Sequence, residues 1–404
     1  MLEDANWLEA RQLLLDRVIP VEIEYAPLEI CGGRVLAFDL KAAEDVPAFD
    51  RSAYDGYALR AADIAAASRE TPVTLKITET IAAGQVGALP VTAGTAAHLM
   101  TGAAVPQGAD CVINFERTEF TEDTVTLFHA LRPGDNIVRR GEDVAAGTLL
   151  APRGTVIDAG LAGTLAAQGI AQVLVYRRPV IGLISTGSEV VEASCQPGPG
   201  QIRNANRASF TALLEKAGCR VNYLGLAGDE AADIAALIAR GLENCDAIVL
   251  TGGVSVGDWD VTPQAMERCG AQILLRGVAM KPGMACAYGI KGNKLVLGFS
   301  GNPASSITNF CACALPAVRA LAGRKDAEPP MIDLTLAGGF KKKSPGTRFL
   351  RGRIELSDGT VRLAVSQDQG NVVLSSAIGC NAFAVVPAGS GPLADGEKLK
   401  GFII

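Results

Sequence analysis

The sequence predicts a multidomain protein of the α/β plus β class. Its centre is a doubly wound α/β domain, with an inserted β-rich module near the N-terminus and a small β-barrel-like domain at the C-terminus. Three observations carry this expectation. From Pro179 to Gly323, apolar strand-like runs alternate with helix-like stretches, the rhythm of a parallel sheet with helices on both faces. Residues 70–129 hold short β-rich runs punctuated by Gly, Pro and Asp. After the charged, proline-terminated stretch Lys325-Asp326-Ala327-Glu328-Pro329-Pro330, residues 331–404 alternate as strands and turns.

Composition sets the outer bounds. A chain of 404 residues has room for roughly two to four domains. Its hydrophobic fraction of 49% supplies real cores, and 20% charged residues do not suggest disorder. A net charge of −6 offers no global basic field for nucleic acid or an acidic membrane. No apolar run reaches the ~18 residues of a membrane helix. The opening MLEDANWLEA is acidic and amphipathic, unlike a signal peptide, so the cytoplasm is the expected compartment.

The ten cysteines never form C-x-x-C, and most sit in apolar runs where a small buried thiol is expected. With His98 and His129 as the only histidines, neither a zinc site nor a Ser-His-Asp triad is supported. Any metal should be a hard cation held by oxygen.

Taken in order, residues 2–18 read as an amphipathic helix, with Trp7, Leu8, Leu14 and Leu15 at helical spacing. Residues 20–46 turn strand-like. The stretch PAFDRSAYDGYALRAADI then mixes aromatic residues with Asp50 and Asp55, ahead of the β-rich module. Residues 131–157 return through strands and glycine turns that include Arg139-Arg140-Gly141-Glu142-Asp143. Residues 158–170 form a short helix capped by Asp158 and stopped at Gly169. In the central domain, VIGLIST, VNYLGL, AIVLTGG, AQILLRGVAM and KLVLGF read as strands, with helical stretches between and after them.

Ligands of an open parallel sheet sit beyond the carboxyl ends of its strands. Four loops fall there: Thr186-Gly187-Ser188-Glu189, Ala227-Gly228-Asp229, Thr251 to Asp260, and Phe299-Ser300-Gly301-Asn302-Pro303. Glycines let backbone N–H groups approach an anion, so the loop Gly252-Gly253-Val254-Ser255 points to a phosphate-bearing ligand. Carboxylates bind phosphate only through a cation, so convergence of Glu189, Asp229, Asp258 and Asp260 with Ser255 and Lys281 suits Mg²⁺ bridging phosphates. The plainer reading is a tight strand-to-helix turn with Asp260 or Thr262 as N-cap and Pro263 opening the helix, with Asp229 as a cap and Glu189 a solvated acid. The basic residues Lys341–Lys343, Arg348, Arg351 and Arg353 lack an aromatic platform and read as a solvated face rather than an RNA site.

Several longer motifs occur together. TGGVSVGDWD, MTGAAVP, SAYDGYA, RRGEDVAAG, KPG, SGNP and FLRGR span essentially the whole chain. This set resembles the molybdopterin molybdenumtransferases, the family of the MoeA proteins and the gephyrin E domain. The resemblance implies an enzyme that inserts molybdate into adenylylated molybdopterin and releases AMP and molybdenum cofactor, assisted by Mg²⁺. It implies an elongated homodimer with the cleft between the central, molybdopterin-binding domain of one subunit and the inserted module of the other. Molybdoenzymes or chaperones would receive the product.

The domains it implies are a discontinuous linker domain (1–45 and 141–176), the inserted module (46–140), the molybdopterin-binding domain (177–327) and the C-terminal β domain (328–404). Carried over motif by motif, the catalytic set is Asp55, Thr101, Asp143, Glu189, Asp229, Asp260 and Lys281. Glu189, Asp229 and Asp260 are the implied cation ligands. Thr186, Gly187, Ser188, Gly252, Gly253, Ser255, Gly257, Pro282, Gly283, Ser300, Gly301, Asn302 and Pro303 are the implied pterin-binding residues.

Three departures from the family pattern stand out. Ser188 replaces an acid in Thr-Gly-Asp-Glu, Met284 and Ala285 replace the second Lys-Pro of Lys-Pro-Gly-Lys-Pro, and Ser300 replaces the first proline of Leu-Pro-Gly-Asn-Pro. They leave open a paralogue that binds pterin as a carrier or scaffold without efficient metal transfer. The related adenylylating step fits less well, because it does not account for the inserted module and the C-terminal β domain.

Overall fold

The structure, a computed structural model, describes residues 1–254, 261–357, 359–366 and 368–404. It divides into two compact units. One comprises residues 1–38, 153–158 and 172–404, and the other residues 39–152 and 159–171.

The first unit is built on a seven-stranded sheet. In spatial order its strands are Leu2–Ala5, Gln272–Val278, Cys286–Lys291, Lys294–Phe299, Ala247–Thr251, Val180–Thr186 and Arg220–Ala227. Strands Val180–Thr186 and Ala247–Thr251 are almost wholly buried, so they read as continuous apolar or small-residue runs rather than alternating ones. The four strands that precede the predicted ligand loops are mutually parallel, which puts those loops on one edge of the sheet.

Among the described residues there are seven α-helices: α1 Trp7–Leu15, α2 Ala159–Ala167, α3 Ala205–Lys216, α4 Ala231–Asn244, α5 Thr262–Arg268, α6 Pro303–Asn309 and α7 Leu315–Leu321. Only α2 belongs to the second unit. A π-helical turn, Phe310–Ala314, joins α6 to α7. In α4 the residues Ala231, Ile234, Ile238 and Gly241 recur at three- and four-residue spacing and form its buried face, which packs beside Ile184, Ile248 and Leu250. Phe210 and Leu214 of α3 pack with Phe299 and Phe310 on the other layer.

Two features of this sheet differ from the sequence reading. The helix expected over residues 2–18 begins only at Trp7, where Asn6 forms a capping box with Glu9. The four preceding residues are an edge strand paired parallel to Gln272–Val278. The sheet is also mixed. Cys286–Lys291 is a further strand, turned back by Gly292-Asn293 into a hairpin with Lys294–Phe299 and antiparallel to Gln272–Val278 as well.

The C-terminal part of this unit is a closed small barrel. Thr347–Ser357, Thr360–Val365, Ile332–Ala337, Lys398–Ile403 and Ala382–Val386 pair in that order, and Ala382–Val386 pairs back onto Thr347–Ser357. Closure removes the sheet edges. The reading of the basic stretch as a solvated face holds for Lys341–Lys343 but not for two of its arginines. Arg351 is fully buried and Arg348 nearly so, while Arg353 is exposed. Alternation along the strand puts Arg351 on the face opposite Leu350 and the barrel core, where the segment carrying Gln369 and Ser376 covers it and its Nη2 donates to Ser376 Oγ (2.9 Å).

The second unit carries a six-stranded sheet, in the order Thr118–Phe120, Thr124–Leu127, Val73–Ile81, Thr95–Leu99, Gly56–Leu59 and Cys111–Asn114. It buries Tyr57, Leu59, Leu75, Ile113 and Leu127 on one face and Ile81, Leu99 and Val112 on the other. No helix among the described residues is long and apolar enough to cross a membrane.

Candidate functional site

The parallel edge of the central sheet opens into a cavity of about 510 Å³. Among the described residues it is built by the segments Ser185–Val190, Ile202–Asn206, Thr251–Gly253 and Gly301–Pro303, with Asp229 and Val372 beside them. Its lining is mainly hydroxyls, amides and glycine backbone.

Gly252 shows why the floor needs glycine. Its φ is +110°, and a Cβ there would lie 2.4 Å from Thr186 Oγ1 and 2.6 Å from the Thr186 carbonyl oxygen. The chain therefore passes directly over the end of the neighbouring strand, which leaves backbone at the cavity surface. The N-terminus of α3 enters beside it. Asn204 caps that helix by accepting from the Arg207 amide (3.0 Å), and it also accepts from Ser185 Oγ (3.2 Å). The first-turn amides of a helix and the positive end of its dipole favour an anion.

The acids stand at the edge of this floor. Glu189 and Asp229 both line the cavity. Asp229 Oδ2 accepts from the Ser188 amide (3.1 Å) and from Ser188 Oγ (2.6 Å), which fixes the carboxylate. Ser188, one of the residues that depart from the motifs the resemblance implies, therefore serves as a donor to the neighbouring acid rather than adding a second negative charge. Among the described residues, no group of three or more His, Cys, Asp or Glu side chains is placed to hold a metal ion.

The remaining expected residues fall in three places. Thr186, Gly187, Gly252, Gly253, Gly301, Asn302 and Pro303 line the cavity. Ser300 accepts from the Asn302 amide (3.2 Å) and so shapes the turn before α6. Lys281, Pro282 and Gly283 are not part of the lining. Lys281 is exposed on a two-residue strand paired with the barrel strand Thr347–Ser357, and the Gly283 carbonyl accepts from buried Asn309 Nδ2 (2.6 Å). Ser255, Gly257, Asp258 and Asp260 lie outside the described residues.

Asp55, Thr101 and Asp143 belong to the second unit. Asp55 Oδ1 accepts from both the amide and Oγ1 of Thr101, each at 2.6 Å. The hydroxyl bond, with the amide bond next, holds the Asp55 carboxyl below the usual carboxylate range. The sequence places these two residues far apart, and the structure joins them directly. Asp143 is an exposed loop residue whose amide donates to the Val46 carbonyl (3.0 Å).

Two functional candidates escaped the sequence reading. Asn206 and Thr251 are buried and line the cavity, yet Asn206 Oδ1 and Thr251 Oγ1 have no hydrogen-bond partner among the described residues. Unpartnered buried polar atoms are uncommon and call for a physical reason. Their types are ordinary in sequence. Only their convergence on the cavity distinguishes them.

Three family models match the chain: "MoeA N-terminal region (domain I and II)" over residues 6–169, "Probable molybdopterin binding domain" over 182–320, and "MoeA C-terminal region (domain IV)" over 333–400. The chain is 36% identical over 388 residues to the molybdopterin molybdenumtransferase of Bacillus subtilis, covering 95% of this chain and 90% of that one. It is 33% identical over 382 residues to the Staphylococcus aureus enzyme of the same name, covering 95% and 91%. The crystal structure of the molybdopterin biosynthesis moeA protein from Pyrococcus horikoshii superposes with a TM-score of 0.85 at 29% identity, covering 99% of this chain and 100% of that one.

Proposed function

This chain belongs to the MoeA family of molybdopterin molybdenumtransferases, and we propose that it inserts molybdate into adenylylated molybdopterin and releases AMP, assisted by Mg²⁺. The observation that carries this reading is the cavity itself. A backbone-lined floor and the N-terminus of α3 sit beside Glu189 and Asp229, on the edge where a parallel sheet binds its ligands. The floor suits a phosphate, and the acids suit a cation shared with it.

The donor set fits Mg²⁺. That ion is held by one or two carboxylates and completes its shell with waters and substrate phosphate oxygens, without a dedicated protein cage. Glu189 and Asp229 would hold it, and Asp260 is the third ligand in this reading. When bound, the cation supplies neutralisation of the pyrophosphate and polarisation of its P–O bonds. The protein's own part is to fix Asp229 through Ser188 and to present the Gly253 amide and the first-turn amides of α3 to the anion, while the Gly252 amide ties the floor to the Phe299 carbonyl (2.8 Å).

The reading includes a homodimer, in which the partner subunit's Asp55, Thr101 and Asp143 complete the cleft. In favour of a second copy, Ile23 and Tyr25 lie exposed on the edge strand Ile23–Pro27, with exposed Ile19 and Ile30 flanking it. It places the protein in the cytoplasm and passes the finished cofactor to molybdoenzymes or their chaperones.

The test is AMP release from adenylylated molybdopterin, with molybdate and Mg²⁺ supplied, by the protein and by Asp229→Asn. Molybdate-dependent release that falls about 100-fold or more in the variant supports the transferase. Tight pterin binding without release from the unaltered protein supports the carrier instead, with exposed Met284, where the family has a lysine, as the first suspect.

A further inference from the structure

We infer that Val190, Ile202 and Val372 form a platform for the planar nitrogen heterocycle of the ligand, and that Asn206 and Thr251 read its hydrogen-bonding edge. This rests on the reading of the cavity as the nucleotide and pterin site. Val190 and Ile202 are register partners in the two-stranded parallel pair Val190–Val191 and Ile202–Arg203, so their side chains share one face. Both line the cavity, and Val372 of the barrel domain joins them there. Ile202 is 56% and Val372 67% exposed, in a lining otherwise dominated by hydroxyls, amides and carboxylates. Single exposed aliphatic residues are ordinary on a surface, but aliphatic residues gathered in a polar cavity offer a surface for something flat and apolar.

The platform is rigidly held. The Ile202 amide donates to the Glu189 carbonyl (2.9 Å), and the Asn204 amide to the Val191 carbonyl (2.8 Å). Behind the pair, Glu192 accepts from Tyr223 Oη (2.6 Å) and Arg207 Nη1 (2.8 Å), while the Arg207 guanidinium lies 3.9 Å above the Tyr223 ring. The Val372 segment is fixed from the barrel side. Gln369 accepts from the Arg351 amide (3.0 Å) and donates to the Arg351 carbonyl (2.9 Å), and Arg351 Nη2 donates to the Gly370 carbonyl (3.2 Å). Such preorganisation lowers the cost of ordering the site on binding.

The orphaned atoms give the second, independent pointer. Asn206 Nδ2 donates to the Gly301 carbonyl (2.9 Å), which leaves Oδ1 as the free end of the amide and therefore an acceptor. Thr251 Oγ1 can donate or accept. An acceptor and a hydroxyl on the lining of one cavity match the edge of an aminopyrimidine ring, which pairs amino or N–H donors with ring-nitrogen acceptors. Pterin and adenine share this chemistry, and adenylylated molybdopterin contains both.

The test is equilibrium binding of three probes to the full chain: molybdopterin under anaerobic conditions, AMP, and inorganic pyrophosphate. The proteins compared are the unaltered chain, Ile202→Ser, Val372→Ser, their double variant and the conservative Val372→Ile. Neutral substitutions leave the field on the phosphate unchanged, and the exposure of both side chains keeps the fold intact, which circular dichroism checks. The expected result is about tenfold weaker binding of a ring-bearing probe by each serine variant, with pyrophosphate unaffected and Val372→Ile near the unaltered value. Loss confined to molybdopterin assigns the platform to the pterin, and loss confined to AMP assigns it to adenine. Unchanged affinity for both ring-bearing probes in the double variant overturns the platform. An equal loss for pyrophosphate overturns it too, because the effect is then general. If the unaltered chain binds neither molybdopterin nor AMP, the functional reading fails along with the platform.

Discussion

Before the first residue of the strand Val180–Thr186, Asp246 takes Arg177 through two nitrogens at 2.6 and 2.5 Å and also accepts from the Val180 amide at 2.7 Å. Glu22 shares the same guanidinium. At the other end of that strand, Glu189 and Asp229 face a cavity, and the donors to Asp229 are the amide and hydroxyl of Ser188. The contrast fits the proposed division of labour between the two ends. Where charge is matched by opposite charge, the groups close the fold. Where Asp229 is held by the neutral donors of Ser188, its charge remains available to the proposed cation and its anionic ligand.

The largest expected effect breaks the closed end. Asp246→Ala removes one member of a half-buried pair and leaves Arg177 short of a partner, so it should cost about 3 kcal/mol of stability. Urea unfolding monitored by fluorescence measures it. A cost below about 1 kcal/mol would show that Glu22 alone satisfies Arg177.

Next comes the open end. Gly252→Ala introduces a Cβ within 2.4 Å of Thr186 Oγ1 at a φ of +110°, so the floor must shift. Strain of roughly 1–3 kcal/mol is expected, with a larger proportional loss of phosphate binding than of stability. Pyrophosphate titration and thermal melts on the same sample separate the two. Equal losses would place the glycine's role in folding alone.

The ends also differ in their response to acid. Burial pushes the Asp246 carboxyl upward, but the Arg177 bonds, the Val180 amide and the Arg177 charge together outweigh it, so its pKa lies below the usual carboxylate value. A lowered folded pKa contributes stability that is complete above the unfolded value, near about 4, and is lost as pH falls through the folded value. Stability should therefore fall on acidification below about pH 4, and Asp246→Asn should flatten that limb. A limb of undiminished slope in the variant would assign the acid response to other carboxyls.

How much of this was legible before the structure follows from what each region depends on. The parallel core was readable because its inner strands are buried on both faces and appear as apolar runs between helices, and the strand-to-loop order of a parallel sheet puts all four loops on one edge. Leu2–Ala5 was absorbed into a helix because α1 follows at once, and only a distant strand, Gln272–Val278, makes those residues extended. The hairpin strand Cys286–Lys291 is short and lies beside glycine and lysine turns. Arg351 was read as solvated because a charged residue in a basic stretch gives no local sign of burial, and the segment from Gln369 to Ser376 that covers it decides it. In the site, glycines and acids carry local signals, whereas Asn206 and Thr251 matter only through what surrounds them.

The smallest expected effect sharpens the comparison most, because it acts on Ser188, where the family resemblance leads one to expect an acid. Ser188→Ala removes the 2.6 Å hydroxyl bond to Asp229 but keeps the amide bond, and should change stability by no more than about 1 kcal/mol. Ser188→Asp instead sets a second carboxylate against the first, and like charges at that distance repel. If the hydroxyl fixes Asp229 for the proposed cation, Mg²⁺-dependent AMP release falls slightly in Ser188→Ala and further in Ser188→Asp, where a repelling group replaces the donor. Unchanged release in both variants would mean that the orientation of Asp229 does not govern turnover. The weight of the cation site would then shift to Glu189, the other acid that lines the cavity among the described residues.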